Sequence, residues 1–116
     1  LARMNGKEVF KFASFAMVDG VEKAAGMAGR SLGDIDWVVP HQANIRIIQN
    51  AAKKLDIDDD KFFVNIHHTA NTGAASVPVA LAEMKEKGLL KAGDEIVLVA
   101  FGAGFTWGGV WLTWQG

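Results

Sequence analysis

Apolar and polar positions alternate along this chain with two different periods. From Ala13 to Ala28, the apolar residues Met17, Val21, Ala24, Ala25 and Ala28 recur at three- and four-residue intervals, the spacing of one helix face. The preceding KEVFKF, residues 7–12, reads as a short strand or as the entry to that helix, and counted as a strand it opens the series. Gly26 and Gly29 weaken the helix end, and SLGDID supplies cap and turn residues before a strand from Trp37 to Pro40. A second helix, Asn44 to Leu55, would bury Ile45, Ile48, Ala51, Ala52 and Leu55, leaving Arg46, Gln49, Asn50, Lys53 and Lys54 wet. The acidic run DIDDD ends it. FFVNI at 62–66 reads as a strand, HHTANTG as a polar loop, and residues from Ala75 to Lys87 as a third helix closed by Gly88. Pro78 lacks an amide hydrogen and fits only the first turn, so that helix should start late or kink. After the turn KAGD, EIVLVAF is unbroken apolar, the pattern of a strand covered on both faces; the loop GAGFTWGG then leads to a last strand, VWLTW.

The order β-α-β-α-β-α-β-β predicts one α/β domain over 1–116, a mixed, five-stranded, mostly parallel sheet with an antiparallel edge and helices on its faces. The 116 residues, half of them apolar, are enough for a single core. Trp107, Trp111 and Trp114 load the terminal strand with apolar surface that calls for a cover. Twelve Lys plus Arg against 13 Asp plus Glu argue against a general electrostatic grip on nucleic acid or an acidic membrane. With no cysteine there is no disulfide, thiolate ligand or cysteine nucleophile. No apolar run is of spanning length and LARMNGK is unlike a secretory signal, so the expected compartment is the cytoplasm. The start at Leu1 suggests a processed product or a piece of something longer.

In a parallel sheet the loops at the carboxyl ends of strands gather at one edge, where ligands usually bind. Three loops should meet there: His41 to Asn44, His67 to Gly73 and Gly102 to Gly108. His41 can donate a hydrogen bond or shuttle a proton, and Asn71 is an amide donor that does not titrate; together they suit a developing oxyanion or enolate. Singly, each has a plainer reading, His41 as a strand-end polar residue and Asn71 as a helix cap. Adjacent His67 and His68 point to opposite faces of an extended segment, so no metal is expected. GAGFTWG precedes a strand and is no dinucleotide fingerprint, and no serine sits in GxSxG. The basic face of Arg46, Lys53 and Lys54 is either a solvated helix surface or a fit for an acidic partner.

PHQAN, NTGAAS and AFGAGFTWG, in this order after MNGKEVFKFA, resemble the carboxy-terminal half of the β-ketoacyl-acyl carrier protein synthase III family, condensing enzymes of the thiolase superfamily. The resemblance runs through the whole chain and implies a thiolase-like half. It implies an acyltransferase of fatty-acid biosynthesis that condenses acyl-CoA with malonyl-acyl carrier protein by decarboxylation, both being substrates, with no cofactor. His41 and Asn71 would hold the malonyl thioester carbonyl and stabilise its enolate, and the backbone amide of Ala103 would donate to the oxyanion on the acyl group. Phe101 and Gly102 would shape the site, Gly6, Phe10 and Asn44 would line the pantetheine and CoA tunnel, and Arg46, Lys53 and Lys54 would dock the carrier protein. Ala70, Gly73 and Ala103 stand where many relatives carry Gly, Ser and Gly; each is small, which implies a shared geometry. The family's nucleophilic cysteine lies in an amino-terminal half absent from this chain. The isolated chain is therefore expected to be inactive, needing that missing half, and the full-length enzyme is expected to be a homodimer. Two alternatives accompany this reading: a type III-like synthase of secondary metabolism, and a non-catalytic module that binds carrier protein.

Overall fold

A computed structural model describes residues 6–40, 45–63, 76–102 and 106–116. Its elements are α1 (Gly6–Ala28), β1 (Trp37–Pro40), α2 (Ile45–Leu55), α3 (Ser76–Glu86), β2 (Glu95–Gly102) and β3 (Thr106–Thr113), with single 3-10 turns at Leu32–Asp34 and Asp59–Lys61. The sheet runs in the order β1-β2-β3. β1 and β2 are parallel, in register from Trp37↔Ile96 to Pro40↔Val99. β2 and β3 are antiparallel from Glu95↔Thr113 to Gly102↔Thr106.

The unbroken apolar run of β2 is explained by cover on both faces. Val97 and Val99 join Val38 of β1 in a core with Met17, Val21 and Ala24 of α1 and Ile48, Ala51 and Leu55 of α2. Ile96, one residue out of phase, joins Val39 of β1 and Ala80 and Met84 of α3 on the other side, with Trp37, Leu98, Leu112 and Trp114 packed around them. The result is a helix–sheet–helix sandwich. Its polar ends are tied locally. The Asp36 carboxylate accepts from the Glu95 amide at 2.8 Å, and the Asp34 carboxylate accepts from the amide and hydroxyl of Ser31, each at 3.1 Å. Gly88 closes α3 at φ 72°, a left-handed conformation that costs a residue with a Cβ.

Three expectations need correction. Residues 7–12 are helical, because Phe10 and Ala13 extend the stripe of Met17, Val21 and Ala24 onto the core at helical intervals. Their aromatic and β-branched character suits a strand, but the continuous stripe wins. The sheet has three strands among the described residues rather than five; Phe62 adds only a parallel bridge to Val38, and residues 64–66 of the expected strand lie outside the described ones. Within α2, Ile45, expected in the core, is 52% exposed, and Ile47, on which no expectation was placed, is buried. Both flank the same apolar stripe, and Ile47 is the one that joins the core shared by α1, α2 and the sheet.

Two other expectations hold, and a fourth is corrected. α3 starts at Ser76, which puts Pro78 in its first turn. The loading of tryptophans on β3 is covered from within: Phe12 and Phe15 of α1 meet Trp107 edge-on at 5.4 and 5.7 Å, and the Arg30 guanidinium lies 5.5 Å from the Trp111 ring. The helix can come that close because Gly109 of β3 faces Gly20 of α1; a Cβ at Gly109 would collide with the Gly20 carbonyl. The expected loop GAGFTWGG is largely strand, since β2 continues through Gly102 and β3 begins at Thr106.

Candidate active site

Because β1 and β2 run parallel, Pro40 and Gly102 end at the same edge of the sheet, and the parallel bridge at Phe62 sends the third segment the same way. The chain thus leaves one edge three times, toward 41–44, 64–75 and 103–105. His41, Asn44, Asn71 and Ala103 lie outside the described residues. Phe101 and Gly102 are the last two residues of β2, paired with Trp107 and Thr106.

At this edge the amino-terminal turns of α1 and α2 enclose a cavity of about 410 Å³ lined by Gly6, Lys7, Phe10 and Arg46. The Arg46 guanidinium sits 5.8 Å from the Phe10 ring, within cation–π range. Gly6 and Phe10, expected in a substrate tunnel, and Arg46, expected in docking, therefore share one cavity. Sequence reasoning missed Lys7. Had 7–12 been taken as helix, Lys7 would have fallen one turn before Phe10 and on the same face. An aromatic ring and two cations lining one cavity suit a ligand with an apolar arm and an anionic end. Lys53 and Lys54 stand apart from the cavity, exposed in the last turn of α2. Arg46 and Lys53 are two turns apart on one stripe, about 10 Å along the axis.

Two carboxylates hold the strands behind the edge. Asp19 accepts the Trp107 indole hydrogen at 2.8 Å and pairs with Lys23 at 3.1 Å. The indole donor first, and Lys23 after it, hold its carboxyl below the usual carboxylate range. Glu95 accepts from the Thr113 hydroxyl at 2.6 Å and the Trp111 indole at 3.0 Å, and meets Arg30 at 2.8 Å. These donors, Thr113 foremost, likewise depress its pKa. Among the described residues, the acids that converge closely enough to suggest a cation are the exposed Asp58, Asp59 and Asp60. Asp58 there accepts the Asp60 amide hydrogen at 3.1 Å and caps the following 3-10 turn.

Residues 26–114 match the family described as 3-oxoacyl-[acyl-carrier-protein (ACP)] synthase III C terminal. The chain belongs to that family. Among synthase III relatives, the beta-ketoacyl-[acyl-carrier-protein] synthase III of Clostridium tetani is 55% identical over 111 residues, which are 96% of this chain and 33% of that protein. The crystal structure of 3-oxoacyl-(acyl carrier protein) synthase III from Pseudomonas aeruginosa PAO1 shares the fold at a TM-score of 0.89 and 43% identity, covering 98% of this chain and 36% of that one. The priming β-ketosynthase of the R1128 polyketide biosynthetic pathway does so at 0.79 and 33%, over 97% and 34%. The chain spans about a third of the length of these synthase relatives. No described helix is long and apolar enough to cross a membrane.

Proposed function

We propose that this chain is the carboxy-terminal part of a cytoplasmic acyltransferase that condenses acyl-CoA with malonyl-acyl carrier protein and so initiates fatty-acid synthesis. Membership of the synthase III family carries the reading. It is supported by the cavity that unites Gly6, Phe10 and Arg46 at the sheet edge from which three segments leave. His41 and Asn71 donate to the malonyl thioester carbonyl as carbon dioxide departs and the enolate forms, and the Ala103 amide donates to the oxyanion on the acyl group. Arg46 meets the acidic carrier protein at the cavity mouth, with Lys53 and Lys54 extending the contact along α2. Acyl-CoA and malonyl-carrier protein are substrates, and no cofactor takes part. The nucleophilic cysteine comes from the amino-terminal portion, and the complete enzyme works as a homodimer.

The test is decarboxylation of malonyl-carrier protein by the protein with its amino-terminal portion present. His41→Ala and Asn71→Ala should each slow it by about 10²-fold or more, the usual effect of removing one oxyanion donor. Unchanged rates in both variants would remove these roles. A second reading, a type III-like synthase of secondary metabolism, is favoured by the likeness to the polyketide priming β-ketosynthase. Profiling acyl-CoA donors on the same protein separates the two.

A further inference from the structure

The sheet edge that the chain leaves three times is short of acids. Residues 41–44, 64–75 and 103–105 contain no Asp or Glu, although the chain as a whole has 13 of them against 12 Lys plus Arg. The cavity at this edge, about 410 Å³, is lined by two cations, Lys7 and Arg46. Each is the second residue of its helix, Lys7 in α1 and Arg46 in α2. A helix start carries the positive end of the backbone dipole, so both positions disfavour a cation. Two cations placed against that field and lining one cavity give it a positive potential that an anion relieves.

The two cations are held differently. The Arg46 guanidinium lies 5.8 Å from the Phe10 ring, whose face attracts it. Lys7 is exposed and, among the described residues, forms no ion pair. An ammonium on a flexible stem acts as a point charge that can follow an anion whatever its orientation. Phe10, three residues after Lys7, shares its face of α1, so an apolar arm lying along the ring brings its charged end within reach of Lys7.

We propose that Lys7 is a specificity-determining residue that binds the phosphate end of the pantetheine arm and favours acyl-CoA over malonyl-carrier protein at this cavity. This role rests on the function proposed above. On CoA the arm ends in a diphosphate with a further phosphate beyond it, whereas on the carrier protein it ends in a single phosphodiester. Coulomb attraction scales with the charge that is met, so Lys7 acts more strongly on the CoA form. The carrier protein draws instead on the contact along α2, where Lys53 and Lys54 stand in the last turn. A contact to the phosphate end is made equally before and during the chemical step, so it changes KM and leaves kcat alone.

The experiment uses the protein with its amino-terminal portion present and measures KM and kcat for acyl-CoA, for malonyl-carrier protein and for acyl-pantetheine, an acyl donor with the arm and no phosphate. Lys7 is exposed, so its substitution leaves the core intact. Lys7→Ala should raise KM for acyl-CoA by about threefold to tenfold, between the effects of an exposed ion pair and of a charge-assisted hydrogen bond. Its kcat should stay within about twofold, as should KM for malonyl-carrier protein, and KM for acyl-pantetheine should not change. Lys7→Arg keeps the charge and should recover most of the loss, while Lys7→Glu should deepen it. Added salt should narrow the gap between the parent and Lys7→Ala on acyl-CoA. An unchanged KM for acyl-CoA, or an equal rise for acyl-pantetheine, overturns the phosphate contact, and an equal rise for malonyl-carrier protein overturns the preference; each leaves the function intact. Absence of both acyl transfer and decarboxylation in the unaltered protein removes the function itself, and this role with it.

Discussion

At the scale of single residues, the network around Glu95 has a defined pH signature. Its carboxylate receives the Thr113 hydroxyl, the Trp111 indole and the Arg30 guanidinium, and these donors favour the charged form. The folded-state pKa therefore lies below the ordinary 4.5, and the unfolded chain binds the proton more readily. The contribution to stability is complete above that ordinary value and is lost as pH falls through the depressed one. Unfolding midpoints measured between pH 6 and about pH 3 should thus decline in acid, and Glu95→Gln should flatten part of that decline. An unchanged slope in Glu95→Gln would assign the acid sensitivity elsewhere, to Asp19 or Asp34, whose carboxyls are depressed by their own donors.

Among the elements, α2 shows what a pattern can and cannot specify. Ile48, Ala51, Ala52 and Leu55 mark a stripe that any helical projection finds, and all four are buried. Ile45 and Ile47 flank that stripe on opposite sides at comparable angles, so the pattern does not choose between them. The tertiary core does, since it takes in Ile47 and leaves Ile45 out. Ile47→Ala should therefore destabilise by about 2–5 kcal/mol, the range for emptying a core isoleucine. Ile45→Ala, at an exposed site, should stay within about 0.5 kcal/mol. Denaturant midpoints at constant slope check both, and similar losses would mean the helix sits in the other phase. For the same reason β1 and β2 were legible: an apolar run bounded by turn residues specifies a strand whatever covers it. The start of α1 was not, because 7–12 fits either period until Phe12 and Phe15 are seen against Trp107. Lys7 was lost with it as a lining residue of the cavity.

For the whole molecule, the proposed function divides chemistry between this segment and an amino-terminal portion. The 116 residues hold no cysteine, so incubation with acyl-CoA should leave them without a covalent acyl adduct by intact mass, whereas addition of the amino-terminal portion should yield one on that portion. An adduct on this chain alone would overturn the assignment of the nucleophile. Sequence by itself determined the alternation of helices and strands, the α/β class, the motifs PHQAN, NTGAAS and AFGAGFTWG that point to the synthase III family, and the need to cover Trp107. These follow from residue chemistry and local period, which act over a few neighbours. Tertiary structure alone decided which flank of α2 is buried, that Trp107 of β3 donates to Asp19 of α1, and that Gly6, Lys7, Phe10 and Arg46 line one cavity. Each of those depends on surfaces meeting across tens of residues, where close packing selects one arrangement among several that the local pattern permits equally.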